Sequence, residues 1–284
     1  APFLTGLIVF VYVPIGWSAV LSFFDARATL HPTTFVGWRN YRYLLTDPLF
    51  RDSLLVFTVF ALFIVPLTYL CSLALALALD NVTRFRAFFR SAFFLPAACS
   101  YVVAAMVWRL SFFNGARFGF VNSILHRFGA DQINWLGGQG YWYWIALVSL
   151  RLWLQVGYYM ILLIAGLNRI SPSTYEAAAL DGAGGGQTLR HITLPQLRAT
   201  SAAVLMLLLI GAFQAFDEFY NMLATAGTYS PYARPPLVHL YSISVGGAQQ
   251  DLGLGGAGTV ILTAIIVVFG VLQNRLTGMG RRMS

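Results

Sequence analysis

Six long apolar runs divide the chain and limit it to folds that can cross a lipid bilayer. The hydrocarbon core of a bilayer is about 30 Å thick, so a helix needs about 20 apolar residues to cross it. Helices are predicted because the runs lack the short alternating pattern of barrel strands. The predicted spans, numbered 1 to 6 in chain order, are residues 2–24, 53–79, 89–113, 142–167, 200–222 and 255–273.

The expected fold class is therefore all-α, a polytopic membrane protein with six transmembrane helices in one domain over residues 1–284. The composition agrees, since 58% of the residues are hydrophobic and 10% are charged, against roughly 25% charged residues in a typical soluble domain. Pro14, Pro66 and Pro96 fall inside predicted spans. A proline kink is tolerated there when neighbouring groups satisfy the carbonyl oxygens that it frees.

The 18 basic residues behind the net charge of +8 are all arginine. Without lysine the chain cannot build a Walker A phosphate loop or form a Schiff base, so ATP hydrolysis would need a partner chain. The arginines are scattered between spans, which argues against a nucleic-acid surface. The four histidines and two cysteines show no metal-binding spacing. We expect no cofactor, metal or catalytic residue on this chain.

The distribution of arginine predicts the orientation in the membrane. Six spans place both chain ends on one side. The connections on that side, which include residues 168–198, carry nine arginines, and those on the opposite side carry seven. Because cytoplasmic loops carry an excess of basic residues, this bias predicts cytoplasmic termini and a cytoplasmic loop at residues 168–198.

The connection at residues 168–198 is too polar and glycine-rich for a span, and we expect it to fold as two short helices. Ser173 and Glu176 fit the S-x-x-E capping box that begins a helix. Gly182 lies where a left-handed residue would end that helix. The glycines at residues 184–186 then permit a tight bend, and a second short helix is predicted over Thr188–Ile192, with Pro195 ending it. An alanine-rich helix lets another backbone approach closely, which favours docking to a partner chain over lying on lipid headgroups.

The same segment resembles the EAA loop of bacterial ABC importer permeases. The resemblance rests on Glu176-Ala-Ala-Ala-Leu-Asp-Gly-Ala, followed nine residues later by Ile192 and then by Leu194-Pro195. Residues 35–48 and 153–167 are similar to the carbohydrate-uptake branch of that family, the maltose and glycerol-3-phosphate type. Residues 223–231 depart from it, because the family commonly has a glycine-rich turn there.

The resemblance implies a subunit of the bacterial plasma (inner) membrane that works with several partners. These are a second, homologous permease in a heterodimer, two ATPase subunits that hold ATP and Mg²⁺, an external solute-binding protein, and the lipid bilayer. In that setting the loop is a coupling helix that inserts into a cleft of an ATPase subunit, where an arginine pairs with Glu176. The implied coupling residues are Glu176, Ala177, Ala178, Asp181, Gly182, Ala183, Ile192, Leu194 and Pro195.

Four charged residues, two basic and two acidic, lie inside or near the ends of predicted spans: Arg109, Arg151, Asp217 and Glu218. A charge at a helix centre costs about 2.5–3.5 kcal/mol on insertion scales, so each needs a partner or water. In one interpretation the arginines and acids neutralise one another between helices. In the other, polar side chains line a translocation path, for which the candidates are Arg151, Gln155, Tyr158, Gln214, Asp217 and Arg109.

Together these features predict the membrane-spanning subunit of an ATP-driven importer for a sugar, a sugar alcohol or a glycerol-phosphate compound. The subunit would alternate between inward-facing and outward-facing states, driven by the ATPases through the EAA loop. The alternative is a stand-alone secondary transporter that uses Asp217 and Glu218 for proton or cation coupling. That alternative lacks a paired, glycine-broken inverted repeat and leaves residues 168–198 unexplained.

Overall fold

A computed structural model describes residues 2–137, 141–223, 233–246 and 250–277. Within these ranges five helices are long and apolar enough to cross a membrane, and two half-helices that meet at 93° form a further candidate. The all-α membrane fold is confirmed, and the spans number six when the bent pair is counted as one. Their bounds are Pro2–Leu21, Pro48–Asp80, Arg86–Ala98 with Tyr101–Phe112, Tyr143–Leu167, Arg198–Leu223 and Leu252–Gln273.

Span 3 is broken rather than gently kinked. A turn of 3-10 helix, Leu95–Ala98, contains Pro96 and is followed by two residues of extended backbone. Proline removes a backbone donor and crowds the preceding turn, so the first half-helix ends there. The break packs directly on span 4, since a Cβ at Gly157 would overlap the carbonyl oxygen of Phe93. Glycine at this position lets the two backbones touch.

Span 4 is the central helix of the bundle, and span 1 is the most peripheral. Half of the most apolar part of span 4 is buried, against 6% for span 1. Span 4 packs along spans 2 and 5, while span 1 packs on span 6. A polar side chain on the buried face of span 4, such as Arg151, is therefore surrounded by other helices. The buried residues of span 4 include Leu147, Leu150, Met160 and Leu163, and they share core clusters with Phe60 of span 2 and Leu208 of span 5.

The connections that follow spans 1 and 3 contain small ordered elements. A hairpin pairs Phe24–Asp25 with Thr34–Phe35, and the helix Arg39–Thr46 leads into span 2. Span 2 begins about a turn earlier than predicted, at Pro48, because the carboxylate of Asp47 caps it by accepting from the N–H of Leu49 (3.2 Å). The helix Phe120–Arg127 follows span 3.

The helix Pro236–Ser244 was not predicted from the sequence. It lies between spans 5 and 6, packs on spans 2 and 6, and buries Val238, His239 and Leu240. Proline at the first helical position favours its start. The predicted departure from the family pattern at residues 223–231 lies outside the described residues, except for Leu223.

Candidate functional site

The first candidate site is the connection between spans 4 and 5, which we call the coupling loop (residues 168–198). Its first helix, Pro172–Leu180, begins after Ser171, whose backbone is extended. The predicted capping box is wrong, because Ser173 lies in the first turn and its hydroxyl shares a 2.7 Å hydrogen bond with that of Ser171. Proline at the first helical position is pre-set for a helix and starts it earlier. Glu176 is exposed on the helix surface.

The first helix ends as the sequence predicts. Gly182 has a φ of +77°, in the left-handed region. The N–H of Gly182 donates to the carbonyl oxygen of Ala179 (3.1 Å), and the N–H of Ala183 donates to that of Ala178 (2.9 Å). This pair of bonds is a Schellman motif, which satisfies two of the carbonyl groups that a helix end leaves unpaired. The tip of the loop is therefore fixed by its own backbone.

The second helical piece is longer than predicted. It begins within the predicted glycine run and continues through a π-helical turn, Leu189–Thr193, into Leu194–Gln196. The prediction that Pro195 ends it is wrong, because proline is tolerated in the first turn of a helical segment. The hydroxyls of Tyr175 and Thr193 meet at 3.3 Å and tie the two pieces together. This hydrogen bond thus joins the two helical pieces of the coupling loop into one unit.

The second candidate site is a polar cluster buried between spans 4 and 5. Arg151 and Glu218 are both buried and form an ion pair. The Nε of Arg151 donates to Oε1 of Gln155 (3.2 Å), and a terminal nitrogen donates to the carbonyl oxygen of Gly211 (2.5 Å). The guanidinium also lies 5.6 Å from the centre of the Phe60 ring. The charge of Arg151 is matched within this chain.

This pair follows the interpretation in which charges neutralise one another between helices. Moving two ions out of water costs several kcal/mol each, and their attraction offsets this only when further hydrogen bonds satisfy the remaining donors. Gln155 and the Gly211 carbonyl supply those bonds. The cluster therefore holds spans 4 and 5 in a fixed register.

The other candidate path residues do not join this cluster. Tyr158, Gln214 and Asp217 are exposed on the chain. Arg109 is half-buried and donates to the carbonyl oxygen of Asn221 (3.5 Å). A polar group on a membrane span needs water or another protein, because lipid leaves it unpaired. These three exposed side chains lie outside the buried pair.

Sequence reasoning missed Tyr101, which borders the cluster from span 3. Its hydroxyl lies beside Gln155, and Arg151 and Glu218 are close enough to act on it electrostatically. It is the first residue after the break in span 3. Its position, five residues after Pro96, is the sequence signal that could have found it.

Comparison with known proteins identifies the family of this chain. The family model for the binding-protein-dependent transport system inner membrane component matches residues 3–279. The chain belongs to this family. The arabinooligosaccharides transport system permease protein AraP of Halalkalibacterium halodurans is 32% identical over 280 residues, covering 98% of this chain and 86% of that protein. The probable ABC transporter permease protein YurN of Bacillus subtilis is 30% identical, covering 96% and 93%.

Solved structures share the fold. A bacterial ABC transporter involved in the import of the acidic polysaccharide alginate matches with a TM-score of 0.83 at 21% identity, covering 100% of this chain and 94% of that chain. A bacterial alginate ABC transporter in complex with alginate pentasaccharide-bound periplasmic protein matches with a TM-score of 0.79 at 22% identity, covering 97% and 91%. The predicted resemblance to ABC importer permeases is confirmed.

In this inner membrane component the EAA motif divides into exposed and anchored residues. Ala178 is buried, Ala183 and Ile192 are half-buried, and these three hold the loop against the protein. The exposed members are Glu176, Ala177, Asp181, Gly182, Leu194 and Pro195. Leu180, which sequence reasoning passed over, is 90% exposed at the end of the first helix. The side chain offers apolar surface that a partner chain would remove from water on docking.

Proposed function

We propose that this inner membrane component is one of two permease subunits of an ATP-driven importer, and that its solute is a neutral carbohydrate. The coupling loop carries the proposal, because it presents a capped, exposed helix from a rigid base. The proposed partners are a homologous permease, two ATPase subunits that bind ATP and Mg²⁺, and an external solute-binding protein. The solved alginate transporter in complex with its periplasmic protein supports the last of these.

In the proposed orientation the coupling loop and both chain ends face the cytoplasm of a bacterial cell. The excess of arginine on the coupling-loop side supports this orientation. The hairpin Phe24–Asp25 with Thr34–Phe35 then lies on the external side, since three spans separate it from the coupling loop.

The coupling loop would transmit ATPase motion to the bundle. Leu180 would fill an apolar pocket of the ATPase subunit, and Glu176 would pair with a basic residue there. Closure of the ATPase dimer would then move the loop as a unit, because its two pieces are joined through Tyr175 and Thr193. The permeases change state only if the ATPases bind one conformation of the pair more tightly than the other.

A neutral solute is favoured over a phosphorylated one by the charges of the candidate path residues. The charge of Arg151 is neutralised by Glu218. In the described part of the chain the exposed carboxylate of Asp217 has no ion pair, so it would repel an anion. Tyr158 and Gln214 offer a hydroxyl and an amide, which suit sugar hydroxyl groups. Relatives named for transport of arabinooligosaccharides and starch degradation products agree.

The function is tested by reconstituting the complex with its ATPases and binding protein in proteoliposomes. We expect uptake of neutral oligosaccharides that requires internal ATP and the binding protein and is insensitive to a protonophore. Preferred uptake of sugar phosphates would contradict the neutral solute. Uptake that collapses with the protonophore and proceeds without ATP would establish the secondary transporter instead.

A further inference from the structure

The connection between spans 2 and 3 is short, aromatic and basic. Residues 80–90, which we call the basic turn, carry three arginines and one acid and so have a net charge of +2. Five residues separate Asp80, which ends span 2, from Arg86, which begins the first half-helix of span 3. A connection of this length stays at the bilayer surface, because both of its ends continue into the hydrocarbon layer. The side chains of the basic turn therefore lie at the depth of the lipid headgroups.

The charge of the basic turn is only partly balanced. Arg86 is held by Asp80, whose Oδ1 lies 2.7 Å from Arg86 Nη2. Arg84 precedes this pair and Arg90 lies one helical turn beyond it. Both are exposed, and neither forms an ion pair in the described part of the chain. A guanidinium stays charged at every physiological pH, so at this depth both arginines need an anion or water.

The backbone of the basic turn is strained beside these arginines. Phe85 has a φ of +59°, in the left-handed region that bulky side chains rarely adopt. Its carbonyl oxygen accepts from the N–H of Phe89 (3.0 Å), which starts the half-helix. The rings of Phe85 and Phe88 are 76% and 65% exposed, so packing within this chain does not account for the strain. Strained residues of this kind cluster at binding sites and switch regions.

The basic turn lies on the same side of the bundle as the coupling loop. Leu79 and Val82, which flank Asp80, pack in one core cluster with Ile170 and Tyr175 of the coupling loop. In the proposed orientation this is the cytoplasmic side. Anionic lipids give the cytoplasmic leaflet a negative surface potential, which attracts basic residues next to a span.

We propose that Arg84 and Arg90 bind the phosphate of an anionic phospholipid, with the rings of Phe85 and Phe88 against its acyl chains. The headgroup depth selects lipid over a soluble partner, and the unbalanced charge selects an anionic lipid. Exposed aromatic rings suit a surface that is polar on one side and apolar on the other. Arg90 reaches the phosphate from one turn deeper, because long basic side chains extend towards the interface. The bound lipid would hold the half-helix that packs on span 4 at Gly157.

The test measures lipid binding to the assembled complex by native mass spectrometry. Phosphatidylglycerol is the anionic probe, and phosphatidylcholine, whose headgroup has no net charge, is the comparison. Arg84→Gln with Arg90→Gln should weaken phosphatidylglycerol binding about tenfold and leave phosphatidylcholine binding unchanged, because each basic residue near the surface adds to the attraction. Arg42→Gln with Arg51→Gln is the matched control. It removes the same charge from exposed positions near the other end of span 2 and should bind as wild type does.

Two further variants test the charge and the ring separately. Arg84→Lys with Arg90→Lys should keep most of the affinity for phosphatidylglycerol, because the charges remain. Phe85→Gly should raise the unfolding midpoint, since glycine adopts a left-handed φ without strain, and should still weaken phosphatidylglycerol binding because the ring is lost. Wild-type affinity in Phe85→Gly would overturn the role of the ring.

The double glutamine variant decides between lipid and a protein partner. Equal phosphatidylglycerol affinity in this variant and in the control overturns the lipid site. Loss of the ATPase subunits from the variant, at unchanged lipid affinity, assigns Arg84 and Arg90 to the ATPase instead. Neither result bears on which solute the importer carries, so the proposed function is tested independently.

Discussion

At the scale of single residues, Arg151 shows that the groups in contact with a buried charge decide what the charge does in a span. The sequence placed it near the centre of span 4, where it could have held an anionic solute. The structure surrounds it with Glu218, Gln155 and the Gly211 carbonyl. Sixty-seven residues separate the ion-pair partners, and only the rotation of spans 4 and 5 selects Glu218 over the adjacent Asp217. Local sequence carries no information on that rotation.

Arg151→Met should therefore destabilise the fold strongly. It leaves Glu218 buried without a partner, which costs about 3–5 kcal/mol of unfolding free energy. Adding Glu218→Met should recover much of that loss, because an apolar pair carries no desolvation cost. Denaturant unfolding in micelles measures both. If Arg151→Met and the double variant with Glu218→Met lose the same unfolding free energy, the two residues do not act as a pair.

Leu180→Asp should weaken binding of the ATPase subunit without affecting the fold. Burial of one leucine contributes about 1.5–3 kcal/mol, so the affinity should fall at least about tenfold. The side chain is 90% exposed in this chain, so the unfolding midpoint of the variant permease should equal that of the wild type. Pull-down and ATPase assays provide the measurement. Gln196→Asp, at an exposed position in the same loop, is the control and should bind normally.

At the scale of elements, the helix Pro236–Ser244 packs on spans 2 and 6 and contacts the start of span 2 through a buried histidine. The Nε2 of His239 lies 3.5 Å from Oδ2 of Asp47, the residue that caps span 2. Burial lowers the pKa of His239, and Arg234 lowers it further, while Asp47 partly opposes them. The helix escaped sequence analysis because its single buried turn is too short to show a clear period among the flanking prolines.

The lowered pKa of His239 predicts acid sensitivity. The folded state binds fewer protons at this site than the unfolded state, whose pKa is about 6.5, so stability should fall as the pH drops below about 6.5. The slope is at most about 1.4 kcal/mol per pH unit for one proton. Thermal unfolding measured from about pH 7.5 to about pH 5, a range that brackets the unfolded-state pKa of about 6.5, tests this slope. His239→Gln should flatten the slope, whereas replacement of the exposed His126 should not.

The contact between spans 3 and 4 is the second element that depends on one position. Gly157→Ala would place a Cβ against the carbonyl oxygen of Phe93, so the half-helix must shift. We expect a loss of about 1–3 kcal/mol. Gly16→Ala in span 1 is the control, because a Cβ there meets nothing within 4 Å. If both variants unfold at the same temperature, the backbones of spans 3 and 4 do not need this close approach.

At the scale of the whole molecule, hydropathy predicted each crossing because lipid imposes the same length on all spans. It located the centre of span 3 but not its 93° bend, since Pro96 fixes only where a helix is interrupted and packing on Gly157 sets the angle. The coupling loop was predicted in part: Gly182 ends its helix through local backbone chemistry, while the start moved from Ser173 to Pro172. The chain's polar clusters depended on contacts between distant segments.

The bent span makes a decisive prediction about topology. If both half-helices of span 3 belong to one crossing, three crossings separate Leu30 in the hairpin region from Leu180 in the coupling loop, and the two lie on opposite sides. If the half-helices instead form a re-entrant loop, two crossings separate them and they share a side. A membrane-impermeant thiol reagent distinguishes these cases, because both leucines are exposed.

The labelling experiment uses a background in which Cys71 and Cys99 are replaced by alanine, since both are free thiols and Cys99 is exposed. In vesicles that carry the permease without its ATPase subunits, we expect Leu180→Cys to react only when the vesicles are inside-out and Leu30→Cys only when they are right-side-out. Reaction of both from the same side would make span 3 re-entrant and move every connection before it across the membrane. The hairpin Phe24–Asp25 with Thr34–Phe35 would then share a side with the coupling loop, so this one measurement fixes the side of each connection before span 3.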